Sequence, residues 1–308
     1  MKEKLVVILG PTATGKSHCA IEIARKLNGE IISGDSMLVY RHMNIGTAKP
    51  TAEELSSAVH HMVDILPPDA EFNVVDFKEQ AEKLISEITG RGRLPIIAGG
   101  TGLYIKALLE NYAFNNVDSD NALRSELEQF LQEHGAQALH KKLAALDNEA
   151  AARLHENDTR RVIRAIESKL QGEAVNQHCA DEKPYDALVF GLNMARDILY
   201  ERINKRVDIM LEQGLEQEVR QLLEMGVPQE CQSMKSIGYR QMLWYLNGQM
   251  SYAEAVDKLK QATRNFAKRQ LTWYRKMPYI QWFELNEQPD YDAVVNRMCA
   301  EIQEKWKL

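Results

Sequence analysis

Apolar residues along the chain fall into two textures. Short unbroken runs, Leu5-Val6-Val7-Ile8-Leu9, Leu94-Pro95-Ile96-Ile97-Ala98 and Ala187-Leu188-Val189-Phe190-Gly191-Leu192, with the shorter Glu30-Ile31-Ile32-Ser33, read as strands buried on both faces. Elsewhere apolar positions recur every three or four residues. Ala20, Ile21, Ala24 and Leu27 form one such stretch, which Gly29 is expected to stop; another opens at Phe72-Asn73-Val74-Val75-Asp76-Phe77, runs towards Ile88 and ends in Thr89-Gly90-Arg91-Gly92-Arg93. Strand and helix alternate, which predicts an α/β fold: a parallel sheet flanked by helices, of the P-loop NTPase-like kind once the first turn is considered. From about Asn115 the alternation stops. Leu123, Leu127, Phe130, Leu131, Leu139, Leu143 and Leu146, then residues 151–170, keep helical spacing, and no strand pattern returns until Ala187. The expected organisation is a core of residues 1–114 and 186–308 interrupted by an all-helical insertion domain, 115–185.

The turn after the first strand is Gly10-Pro11-Thr12-Ala13-Thr14-Gly15-Lys16-Ser17, a G-x-x-x-x-G-K-S run between a strand and a helix. Its glycines let successive N–H groups point into one concavity, the following helix adds its N-terminal dipole, and Lys16 supplies a movable cation. Ser17 is placed to hold a phosphate-bound Mg²⁺, the one cofactor expected. The second strand delivers Gly34-Asp35-Ser36 to the same end of the sheet, where ligands of open parallel sheets bind. Asp35 is a candidate base there, with a turn cap as the equal alternative. Residues Val39–Pro50 carry no clean period and read as a loop. A third strand empties into Gly99-Gly100-Thr101-Gly102-Leu103-Tyr104, where glycines allow close approach to a ligand. That strand ends without the Asp that holds Mg²⁺ in hydrolysing phosphate-loop proteins, so transfer from a bound diphosphate or nucleotide fits better than hydrolysis.

Composition narrows the class. In 308 residues, 44% hydrophobic, there is material for a sizeable core, and no stretch approaches a membrane span. The first strand begins too close to Met1 for a signal peptide, so a cytoplasmic enzyme is expected. Cys19, Cys179, Cys231 and Cys299 are far apart, which argues against a disulfide framework or structural zinc, and the adjacent pair His60-His61 has no partner at ligand spacing. A net charge of −6 argues weakly against nucleic acid, but local clusters run the other way. Arg160, Arg161 and Arg164 share one side of a helix that Asp158 can cap, with Val162, Ile163 and Ile166 opposite; Tyr200–Arg206 is basic at one-turn spacing; Arg264–Lys276 is basic and aromatic with no acid. Spacing alone favours a solvated charged face for the arginine cluster and, for Arg264–Lys276, a long surface helix whose aromatics are core.

Several segments, taken in order, carry a resemblance: Gly10–Ser17, Gly34–Arg41 with Ile45–Pro50, Gly99–Tyr104, Asp158–Glu167, Ser236-Ile237-Gly238-Tyr239-Arg240-Gln241 and Lys268-Arg269-Gln270-Leu271-Thr272-Trp273. The chain resembles the bacterial tRNA dimethylallyltransferases over nearly its whole length. It departs from that pattern at Leu38, where Gln is common, at Gly34, where Ala is, and at His42 and Asn44, where Gly and Asp are. Leu38 cannot offer a side-chain hydrogen bond to the target base, which leaves a backbone contact.

The resemblance implies transfer of the dimethylallyl group of dimethylallyl diphosphate to N6 of the adenine beside the anticodon of tRNA, position 37, with Mg²⁺ and release of diphosphate. It implies that Lys16, Ser17 and the loop amides hold the diphosphate, that Arg206 clamps it, that Asp35 takes the N6 proton and that Thr101 fixes the amine or a phosphate oxygen. It places the RNA against Asp35, Ser36, Met37, Leu38, Thr101, Arg124, Thr159, Arg160, Arg161, Val162, Ile163, Arg164, Gly238, Tyr239, Arg240, Gln241, Lys268 and Arg269, turning the arginine cluster from solvated face to phosphate contact. The partners expected are the anticodon stem-loop and the prenyl donor, with no membrane, and a monomer. A phosphate-loop small-molecule kinase and a non-catalytic RNA-binding protein are the alternatives.

Overall fold

The order of strands across the sheet brings the functional turns together. A computed structural model describes residues 2–112, 121–170 and 183–307, and its chain divides into two compact units, Met1–Asn111 with Glu182–Leu308 and Tyr112–Asp181. In the larger unit six strands, β1 (Lys4–Leu9), β2 (Gly29–Ser33), β3 (His60–His61), β4 (Leu94–Gly99), β5 (Asp186–Met194) and β6 (Gln281–Leu285), lie in the order β3-β2-β4-β1-β5-β6 and pair in parallel throughout. β1 is central, so its apolar run is buried from Leu5 to Leu9. Leu5, Val7 and Leu9 face one core, Val6 and Ile8 the other. The first core is covered by α3 (Val74–Gly90), α4 (Gly102–Leu109), α9 (Leu215–Glu224) and α10 (Tyr239–Leu246), the second by α1 (Lys16–Lys26) and α12 (Tyr291–Trp306).

Local chemistry sets the ends of these elements. Asn73 caps α3 by accepting the N–H groups of Val75 and Asp76, while Asp76 accepts that of Asn73, and Phe77, Ala81, Ile85 and Ile88 then fall on the buried side. α1 ends at Lys26, not at Gly29: Asn28, at φ +52°, makes the reversal, and Gly29 is the first residue of β2. The segment Gln281–Leu285, not expected as a strand from its pattern, is the edge strand β6, paired to β5 over Phe190–Met194. At the other edge the buried carboxylate of Glu30 accepts hydrogen bonds from Arg91 and Arg93 and meets His61 Nε2 at 2.6 Å, which ties down the two-residue strand β3. His60 is bonded instead to the carbonyl of Ala58. Among the described residues no three His, Cys, Asp or Glu side chains are grouped to hold a metal, and no helix is long and apolar enough to cross a membrane. Cys19, Cys231 and Cys299 are free thiols, that of Cys19 pushed by burial to about 12; Cys179 lies outside the described residues.

The smaller unit holds α5 (Asn121–Leu146), broken at Gly135 by a non-helical φ of +79°, with α6 (Asn148–Arg153) and α7 (Thr159–Leu170). Leu127, Leu139, Leu143, Ala150, Val162, Ile163 and Ile166 form its core. Glu167, 1% exposed, is gripped by Arg124 through Nε at 2.9 Å and Nη2 at 2.7 Å, with Arg164 at 3.8 Å. A buried carboxylate of this kind persists only when paired.

Candidate active site

β2, β4 and β1 are neighbours, so the turns that follow them share one end of the sheet. After β1 comes the phosphate loop, with Gly10 at φ +156°, Ala13 at +69° and Gly15 at +84°. Lys16 Nζ donates to the carbonyl of Pro11 at 2.8 Å, and Thr14 Oγ1 donates to the same carbonyl at 2.8 Å, closing the loop from within. Ser17, next on α1, is exposed. Gly34 and Gly99 touch through their backbones: a Cβ on Gly99 would lie 2.2 Å from the carbonyl carbon of Gly34, which is why two glycines end β4 and follow β2. That contact draws Asp35 and Thr101 together. Thr101 Oγ1 accepts the N–H of Ser36 at 3.1 Å, and its own proton remains available for a ligand.

Asp35 makes the turn cap, one of its two sequence readings. Its Oδ1 accepts the N–H of Met37 at 2.8 Å, an Asx-type cap, while its second oxygen lies towards Gly100, 3.9 Å from where a Cβ on that glycine would stand. Burial raises the Asp35 carboxyl above its ordinary range, opposed by Lys16 and Arg206. Burial lowers the Lys16 ammonium to about 8, Arg206 lowering it further and Asp35 opposing. Arg206, on α8 (Arg196–Glu212), is lowered by burial and supported by Asp35 and Glu54; among the described residues it has no hydrogen-bond or ion-pair partner. Two recessed cations, Lys16 and Arg206, thus act on the Asp35 carboxylate beside the phosphate loop, with Glu54 a second carboxylate acting on Arg206. The inward-facing loop amides together with these cations suit an anion.

Residues distant in the sequence finish the loop. Gln270, on α11 (Tyr252–Tyr274), accepts the N–H of Thr12 at 3.1 Å, and Tyr291, at the start of α12, donates to the carbonyl of Thr14 at 3.2 Å. The Tyr291 ring fills the space that a Cβ on Gly15 would need, 2.4 Å from its Cε1. Arg202 joins them, donating to the carbonyl of Ala13 at 3.0 Å and to the Tyr291 hydroxyl at 3.1 Å. Glu218 holds the segment that follows Asp35: its carboxylate accepts N–H groups from Asn44 (2.8 Å), Ile45 (2.9 Å) and Gly46 (3.1 Å) and the hydroxyl of Tyr239. Lys49 pins the same loop through the carbonyl of Tyr40 at 2.7 Å, and also binds Asp64. Glu218 and Tyr291 do not stand out in the sequence, because nothing local to them resembles a motif, and Gln270 and Arg202 appear there only as members of longer runs.

The structure also corrects several contacts expected with RNA. Tyr239 and Gln241 are buried, Tyr239 on Glu218 and Gln241 accepting the N–H of Gly238 at 2.9 Å, so of Gly238–Gln241 only Arg240 reaches solvent with its side chain, lying over Trp244. Val162 and Ile163 belong to the core of the smaller unit, and Arg124 is committed to Glu167. Leu38 directs its N–H at Asp35 and its carbonyl accepts from Asp64, so its backbone is engaged as well. Arg160, Arg161 and Arg164 are exposed; Arg161 is 3.4 Å from Asp158, and Arg160 has no ion-pair partner among the described residues. Lys268 and Arg269 are exposed on α11, with Thr159, Ser36 and Met37 half-buried.

Comparison with known proteins agrees with this geometry. The family model described as IPP transferase matches residues 38–277. A tRNA dimethylallyltransferase of Halalkalibacterium halodurans is 47% identical over 316 residues, covering all of both chains, and that of Bacillus subtilis is 44% identical over 311, covering all of this chain and 99% of the relative. The crystal structure of a tRNA isopentenylpyrophosphate transferase from Bacillus halodurans superposes with a TM-score of 0.76 at 46% identity, covering 99% of this chain and 97% of the other. A eukaryotic dimethylallyltransferase described as acting on tRNA superposes at 0.77 with 26% identity, over 98% of this chain and 78% of its own. With the phosphate loop, the Asp35 turn and the Thr101 turn assembled at one end of such a sheet, the chain belongs to the IPP transferase family, the tRNA dimethylallyltransferases.

Proposed function

We propose that this protein transfers the dimethylallyl group of dimethylallyl diphosphate to N6 of the adenine beside the anticodon of tRNA. The observation that carries the reading is the Asp35 carboxylate, capped by the N–H of Met37 and acted on electrostatically by Lys16 and Arg206, beside the phosphate loop. An exocyclic amine is a weak nucleophile, so the barrier falls by stabilising the leaving diphosphate and by holding the amine in line with the primary carbon. Lys16, Arg206 and the loop amides take the growing negative charge as the carbon–oxygen bond breaks. The nitrogen–carbon bond forms, and the proton that the amine must shed passes to Asp35. The Thr101 hydroxyl, already fixed on Ser36, orients the amine or a phosphate oxygen.

Mg²⁺ fits the donor set. The exposed hydroxyl of Ser17 gives one hard oxygen beside the phosphate cradle, and this ion takes its other ligands from phosphate and water; when bound it supplies further charge neutralisation. Because a base in a folded loop is partly stacked, it has to be drawn out to reach Asp35, and the exposed cations Arg160, Arg161, Arg164, Arg240, Lys268 and Arg269 would grip the phosphates of the anticodon stem-loop meanwhile. The monomer is the proposed working unit, acting in the cytoplasm where tRNA is.

The test is direct: incubate the protein with Mg²⁺, dimethylallyl diphosphate and unmodified tRNA carrying A beside the anticodon, digest, and weigh the nucleosides. An adenosine heavier by one dimethylallyl group is expected. Donor turnover with no gain on adenosine would overturn the reading, and ADP formation from ATP with a small metabolite would favour a kinase.

A further inference from the structure

Both sides of the proposed reaction hang on one buried amide. Gln270 is 4% exposed, and neither half of its side chain is spare: Oε1 accepts the N–H of Thr12 in the phosphate loop at 3.1 Å, and Nε2 donates to the carbonyl of Gly100 at 2.8 Å, one residue before Thr101. The partners fix which way the amide points, since an N–H must meet oxygen and a carbonyl must meet nitrogen. One helical turn on, the buried Tyr274 hydroxyl adds a bond to Gly100 at 2.9 Å and a longer one to Gly10 at 3.3 Å. Thr12 belongs to the loop that would grip the diphosphate, and Gly100 to the turn that would carry the amine. Tyr274 spans the same two segments through a single hydroxyl, whereas Gln270 commits a separate hydrogen-bonding group to each.

We infer that Gln270 is a positioning residue for prenyl transfer, fixing the register between the diphosphate loop and the Thr101 turn and through it the distance from the donor carbon to the attacking nitrogen. The inference rests on the function proposed above. Reactions of this type lose rate steeply with misplacement, since most of the advantage lies in holding two reactants at near-contact distance. Gln270 touches only backbone and is buried, so it does not meet the RNA itself. Its neighbours Lys268 and Arg269 are exposed on the same helix, so one helix bears RNA-facing cations outside and the loop strap inside.

The experiment measures kcat, the KM of each substrate and tRNA affinity for wild type, Gln270→Ala, Gln270→Glu and Gly100→Ala. For Gln270→Ala, kcat is expected to fall about tenfold to a hundredfold with donor KM raised, while tRNA affinity stays within about twofold. Gln270→Glu carries the sharper signature. Ionised, Glu keeps the acceptor for Thr12 but cannot donate to Gly100 and sets a negative charge by the diphosphate; protonated, it offers one acceptor and one donor on nearly the same atoms. The ratio of its kcat to that of wild type should therefore climb as pH falls, which a residue needed only for folding would not produce. Gly100→Ala tests the strap from its other end, because the new Cβ would lie 2.4 Å from Gln270 Nε2 and push the amide aside. Its loss should not add to that of Gln270→Ala in the double variant. Wild-type kcat in folded Gln270→Ala, full additivity, or a lost tRNA affinity with unchanged donor KM would each overturn the inference. A wild type that makes no prenylated adenosine would instead sink the proposed function, so the two failures are distinct.

Discussion

The carboxylate of Glu218 accepts the hydroxyl of Tyr239 together with three consecutive backbone N–H groups, those of Asn44, Ile45 and Gly46. Among the described residues this buried carboxylate has no ion-pair partner and is satisfied by dipoles, in the manner of an anion in a backbone nest. Tyr239→Phe removes one donor and should cost about 1–2 kcal/mol of stability. Glu218→Ala strands three amides and should cost more, on the order of 3 kcal/mol. Thermal melts check both. In kinetics the loosened loop should raise the KM for tRNA and leave that for the donor in place; equal damage to both would place the effect in the whole fold.

Lys16→Ala takes a recessed cation from the diphosphate in ground and transition state. The expected loss in kcat/KM for the donor corresponds to about 2 kcal/mol or more, as for other charge-assisted contacts. Near-wild-type kinetics would remove the loop from the donor site.

The pH profile follows from the same cluster. Asp35 acts as a base only when ionised, and burial holds its carboxyl above the usual range, so kcat/KM for the donor should rise with pH through that raised value. Lys16 helps only when protonated, and burial brings it down to about 8, so the same quantity should fall as pH passes through about 8. Lys16→Arg should move the falling limb upward. Asp35→Asn should flatten the rising limb and lower kcat about a hundredfold, with tRNA affinity little changed. A rising limb that survives in Asp35→Asn would assign the base elsewhere.

Much of this site could be read from the chain. Gly10–Ser17 sits between an apolar run and a helical pattern, and Asp35 and Thr101 each follow a strand, so placing them at one end of a parallel sheet needed only local signals. Tyr291 and Glu218 gave no such signal, and Gln270 and Arg202 showed only as members of longer runs, not as partners of the loop. Each reaches its partner across 170 to 280 residues of chain, and the role appears only once the sheet has brought the ends together. Tyr239 and Gln241 show the converse: the segment around them marks the family, yet burial turns their side chains to internal bonds rather than RNA.

The arginines of α7 divide by their neighbours. Arg161 and Arg164 already have carboxylates within 3.4 and 3.8 Å, whereas Arg160 has no ion-pair partner among the described residues. If all three bind RNA phosphate, the triple Ala variant should bind tRNA more weakly, with a log-log salt slope shallower by somewhat under one unit per lost contact. Arg160→Ala alone should account for the largest share, and donor KM should not move. An unchanged slope with an intact melting temperature would return these residues to a solvated face.

Arg124 behaves differently, because its loss would leave Glu167 buried with only Arg164 at 3.8 Å. Arg124→Ala should lower the stability of the smaller unit by about 2–3 kcal/mol, reduced from the fully buried case because the arginine is partly exposed. The readout is melting temperature. Replacing Arg124 and Glu167 together by Met and Leu should restore much of the loss; an Arg124→Ala variant that melts like wild type and only binds tRNA more weakly would make it an RNA contact instead.

The phosphate loop is made first and finished last. Its closing partners Gln270, Tyr274 and Tyr291 lie 258, 264 and 277 residues further along the chain from the atoms they hold. At synthesis rates of about 5–20 residues per second, the loop would wait roughly 15 to 60 s between its own emergence and that of Tyr291. During that interval the loop lacks its bonds to Gln270, Tyr274 and Tyr291, and a chain that stops before α11 would keep the motif without them.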